Sequence, residues 1–199
     1  MTDRPRRGAD LERSVEAGIL TGMLAAVPMG LLLMLISVVQ GRGLFTPAYR
    51  IAFILDTTEL DTALRRAELG DHTYLGREAL LFGATQHFFV AAALGVGFAL
   101  LARVLRPGSR ASLVRLGILY ALAGMVLMSV AVLPVLARAL ALGPPVANLG
   151  GAIGWPAFVA AHVVFGAILG YLGARLLPHS RLAAGDDVPS HEDGNRDAT

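Results

Sequence analysis

Gly18 to Val39 reads GILTGMLAAVPMGLLLMLISVV, twenty-two residues without one charged side chain. As an α-helix this stretch is about 33 Å long at ~1.5 Å per residue, enough to cross a hydrocarbon core of ~30 Å. No water is available there to satisfy an open backbone, so such a run has to be helical. Three further runs repeat the pattern: Ala79 to Ala102, Leu116 to Ala137, and Ile153 to Leu177, the last interrupted only by Arg175. The reading is an all-α, four-helix transmembrane bundle over residues 18–177, with an N-terminal segment at 1–17, a connector at 40–78 and a tail at 178–199. The first run is too long for a signal-peptide core and no small-residue cleavage site closes it, so it is read as a retained span.

Composition agrees. Of 199 residues, 55% are hydrophobic and only 16% charged, and the mean hydropathy is +0.61. A soluble domain carries roughly a quarter charged residues, which excludes an ordinary water-soluble enzyme. The absence of cysteine excludes disulfides and thiolate metal sites. All 17 basic residues are arginine, but the net charge of +2 is too small to argue for nucleic acid.

The arginines set an orientation. Arg4, Arg6, Arg7 and Arg13 precede the first span, Arg103, Arg106, Arg110 and Arg115 follow the second, and Arg175, Arg181 and Arg196 close the chain. The opposite side has Arg138 and five arginines diluted by Asp56, Glu59, Asp61, Glu68, Asp71 and Glu78. The positive-inside rule then places both termini in the cytoplasm of a plasma-membrane protein. The tail from His179 is polar and free of aromatics, the composition of a disordered segment. Within the connector, Ile51, Leu55, Leu60 and Leu64 recur at helical spacing, predicting one amphipathic helix over 51–69, begun near Pro47 and ended by Gly70.

The spans also match one another. Gly18-Ile19-Leu20 aligns with Gly117-Ile118-Leu119 at an offset of 99, and His87 with His162 at an offset of 75. Leu94-Gly95 then meets Leu169-Gly170. This predicts two duplicated helical hairpins related by an axis along the membrane normal. Small residues form stripes: Gly18, Gly22, Ala26 and Gly30 in the first span, Ala91 and Gly95 in the second, Gly166 and Gly170 in the fourth. Helices approach closely along such stripes, because lipid supplies no hydrophobic drive for their association.

His87 and His162 are the only ionisable side chains well inside the spans, and intramembrane polar groups mark functional sites. They can be read as ligands of a haem or a metal, with Gln86 as a supporting partner. The competing reading is structural: two neutral imidazoles bonded to each other, to a carbonyl or to water. Pro28 and Pro134 lie inside spans, where each removes a backbone donor and can kink its helix. The carboxylates of the connector match no metal loop, and no phosphate loop, HExxH or Ser/His/Asp set is present.

The segments AGILTGMLAAVPMGLLLML, QHFFVAAALGVGF and AHVVFGAILGYLGAR resemble small four-helix bacterial and archaeal membrane proteins of unknown function. The resemblance covers Gly18 to Arg175 and implies an integral membrane protein without transferring a catalytic residue. The function expected is that of a non-enzymatic accessory or assembly component. Its partners are the lipid bilayer and other membrane subunits or a second copy. A haem- or metal-binding redox accessory protein and an oligomeric small-solute transporter are the alternatives.

Overall fold

The computed structural model describes residues 4–52, 58–140 and 144–177. Helix α1 spans Arg4–Val39, α2 Thr46–Ile51, α3 Thr58–Glu68 and α4 Arg77–Leu105. Then come α5 at Arg110–Leu127, a π-helical turn at Met128–Val132, α6 at Leu133–Ala139, α7 at Pro144–Ala147, α8 at Leu149–Ile153 and α9 at Trp155–Leu176. The described residues contain no strand. Four helices are long and apolar enough to cross a bilayer: Ala9–Val39, Arg77–Leu105, Arg110–Ala139 and Trp155–Leu176. The protein is an all-α four-helix bundle of the integral membrane class. The proposed tail at 178–199 lies outside the described residues.

Element ends differ from the sequence reading in several places, and α5 begins at Arg110, six residues ahead of Leu116. Helix α1 begins at Arg4, well before Gly18, because nothing in the segment stops a helix and Ser14 Oγ bonds back to Asp10 O at 2.8 Å. The fourth span starts at Trp155, not Ile153, since Gly154 at φ +102° breaks the chain from α8. Among its described residues the connector holds α2 and α3; α3 falls within the helix expected over 51–69, and residues 53–57 of that helix lie outside the described residues. Pro47 opens α2 and Gly70, at φ +80°, follows α3. Tyr49, 1% exposed, anchors α2: its hydroxyl receives the Gly76 N–H at 3.1 Å and donates to Tyr74 O at 3.3 Å. With Ala52, Leu60, Ala63, Ala67 and Ala79 it forms a small core of its own at one end of the bundle.

The main core runs between the long helices, around Ala25, Ala26, Phe98, Ala161, Phe165 and Leu169. Helix α1 packs along α4, α5 along α9, and α9 closes against α1. Glycine makes both hairpin contacts backbone to backbone. A methyl built on Gly18 would stand 2.8 Å from the Gly95 carbonyl oxygen, and one on Gly22 would collide with the carbonyl of Ala91. In the other pair, a methyl on Gly117 would collide with the carbonyl of Gly166, and one on Gly170 with that of Leu113. Gly22 therefore corresponds to Gly117 and Gly18 to Leu113, an offset of 95. The Gly-Ile-Leu match predicts 99, one helical turn away. Close approach selects the register: two backbones meet where a glycine on at least one of them leaves room, whatever residues face lipid.

The fourth side of the bundle is different. Helices α4 and α5 are joined by a short loop yet touch sparsely. Tyr120 stands between them, its hydroxyl donating to Leu94 O at 3.0 Å and its ring 5.8 Å from that of Phe98. A methyl on Gly97 would collide with the Tyr120 hydroxyl, so the phenol acts as a wedge in a seam.

The prolines also diverge. Helix α1 continues through Pro28 without a break. Ahead of Pro134 the helix widens, and Leu133 N–H bonds the carbonyl of Met128, five residues back. A π-turn takes up the crowding that a proline ring forces on the preceding turn.

Candidate functional site: the intramembrane histidines

His87 lies on the face of α4 that meets α1, half-buried, and its Nε2–H donates to the carbonyl of Ala26 at 3.2 Å. A carbonyl can only accept, so this bond fixes the proton on Nε2 for the neutral ring. His162 lies on α9 and bonds its own helix: Nδ1–H donates to Phe158 O at 2.7 Å, with the Phe158 ring edge-on at 4.5 Å. The two neutral rings are thus held as opposite tautomers. Each keeps one ring nitrogen without a bond to the described residues: Nδ1 of His87 and Nε2 of His162.

Two further polar atoms stand out, one on α4 and one in the π-turn. Gln86 Oε1, next to His87, and Ser129 Oγ, in the π-turn, are both buried without a hydrogen-bond partner among the described residues. The register is set by Tyr120 on Leu94, and by Gly124, whose added methyl would meet the Leu94 side chain at 3.9 Å. Continued along the antiparallel pair, it brings Gln86 level with the π-turn. Sequence reasoning singled out Gln86 but not Ser129. Its signal was Pro134, five residues on, which opens the turn that carries it.

The packing residues divide. Gly18, Gly22, Ala91 and Gly95 meet in the α1–α4 contact, and Gly166 and Gly170 lie against α5. Gly30 makes no tight contact; the nearest atom to a methyl there is His87 Nε2 at 3.8 Å. Space opens beside it. A cavity of about 180 Å³ is bounded by Val27, Gly30 and Met34 of α1, Ala48 of α2, and Ala84 and His87 of α4. That is far above the ~10–15 Å³ that admits one water. Its walls are apolar apart from the imidazole, and Leu31 at its mouth is 61% exposed on the bundle surface. Among the described residues no three His, Asp or Glu side chains converge as a metal-binding group.

No family model, curated protein or solved structure matches the chain.

Proposed function

We propose that the protein is a non-enzymatic component of the plasma membrane, an accessory or assembly subunit that docks laterally on another membrane subunit or on a second copy. Both termini face the cytoplasm in this reading, and the two hairpins descend from one duplicated unit. Its relatives are small four-helix prokaryotic membrane proteins. The observations that carry it are the sparse contact between α4 and α5 and two polar atoms, Gln86 Oε1 on α4 and Ser129 Oγ in the π-turn, that are buried without a partner among the described residues. An unspent acceptor and hydroxyl surrounded by hydrocarbon are costly, and a polar side chain from a docking helix relieves that cost. Both histidines spend a donor on a backbone carbonyl, which suits pins of a scaffold.

The chain has no native cysteine, so a single one at Val130, exposed on the π-turn, can be cross-linked in native membranes. A defined adduct from Val130→Cys, with none from Leu24→Cys on α1, is the expected result. Monomer from both positions overturns the reading.

A second reading, a bis-histidine haem or metal site for redox work, is favoured by the nitrogen that each ring keeps without a bond to the described residues. It requires the rings to rotate toward one ion. A visible absorption band and bound metal in the purified protein, both lost in His87→Ala, would establish it; a colourless, metal-free protein ends it.

A further inference from the structure

At the connector end, two arginines converge on one peptide oxygen. Arg42 Nη1 donates to the carbonyl of Ala152 at 3.0 Å, and Arg50 Nη1 donates to the same oxygen. Arg50 Nη2 pairs with Glu68 Oε1 at 3.3 Å, and the Arg50 side chain is only 11% exposed. Burial, and then the neighbouring Arg42, hold the Arg50 guanidinium below its usual range. Two cations against one carboxylate leave one positive charge in this group. The crevice they share has room for about 10 Å³, that of a single water, and is lined also by Ser37, Gln40 and Thr46. Pro47 and Leu33 form its floor, and the same two residues wall the apolar cavity beside Gly30 and His87. A basic crevice at the end of a span thus lies directly above a cavity that opens onto hydrocarbon.

We infer that this end of the bundle binds one anionic glycerophospholipid, its phosphate over the mouth of the crevice at Arg42 and Arg50 and one acyl chain in the cavity between α1, α2 and α4. The charges match, since a phosphodiester carries the single negative charge that the Arg42–Arg50–Glu68 group leaves uncompensated. Guanidinium forks suit phosphate oxygens, and a low-dielectric site strengthens such pairs. The chain half explains why the cavity stays apolar and open at Leu31. This site is independent of the docking seam, which lies on the other flank of α4.

The test uses the full chain in neutral detergent, with thermal shift and native mass spectrometry as readouts. Phosphatidylglycerol, phosphatidylcholine with the same chains, and inorganic phosphate are the probes. Phosphatidylglycerol is expected to bind about tenfold more tightly than phosphatidylcholine, and inorganic phosphate is expected not to displace it. The Arg42→Gln/Arg50→Gln variant brings the two lipids to equal affinity, Arg42→Lys/Arg50→Lys keeps the preference, and Gly30→Leu weakens both lipids by filling the cavity. Equal binding of the two lipids to the unaltered protein overturns the proposal. So does competition by millimolar phosphate, which marks a free-anion site, or a preference that survives in the glutamine variant. If the double glutamine variant does not fold, Arg42→Gln alone is measured, and an undiminished preference there counts against the site.

Discussion

His87 on α4 bonds across to Ala26 on α1, 61 residues away in the chain, whereas the equivalent bond of His162 closes on Phe158 four residues back in its own helix. The two histidines occupy matching positions of the hairpins and do different work. One fastens two helices together; the other orients itself.

His87→Ala is therefore expected to destabilise the bundle by about 1–2 kcal/mol and His162→Ala by less, the difference being one interhelical hydrogen bond. Thermal unfolding in detergent checks this. Equal losses would show that the Ala26 bond contributes nothing.

Gly117→Leu and Gly166→Leu force α5 and α9 apart, because each side chain would grow into the opposing backbone. Each should lower the melting temperature strongly, by a mechanism worth at least ~1–3 kcal/mol. Gly30→Leu has open space and should melt within about 1 kcal/mol of the unaltered protein. A severe loss at Gly30 would contradict the cavity.

Burial holds the Tyr49 phenol above its ordinary range, with the Gly76 N–H opposing. The unfolded chain then ionises first, so this contribution to stability is complete below the ordinary phenol value near 10 and is lost as pH rises past it. Tyr49→Phe should be less stable by about 1 kcal/mol at neutral pH and flatter above pH ~10. Parallel pH profiles for the two proteins would refute the assignment.

Cysteines placed at His72, in the connector, and at Ser109, before α5, report the orientation, since both positions are exposed. An impermeant thiol reagent applied to intact cells is expected to label His72→Cys and spare Ser109→Cys. The reverse pattern inverts the topology.

The four spans were legible without coordinates because hydrocarbon leaves a long apolar run one backbone option, and the Gly18–Val39 stretch declares it residue by residue. The small-residue stripes were equally plain, since only glycine and alanine let helices approach closely. Which turn of one stripe meets which turn of the next was not legible. The Gly-Ile-Leu match is a likeness of chain, while the contact of Gly22 with Ala91 and of Gly117 with Gly166 is a fit of two surfaces. The placing of α2 rests on the burial of Tyr49 beneath Gly76, a contact 27 residues long. The meeting of Arg42 and Arg50 on Ala152 joins residues more than a hundred positions apart. Local sequence determined what each segment had to be in a bilayer, because solvation acts residue by residue. Tertiary structure alone decided register, seam and cavity, because these depend on which distant backbones come closest.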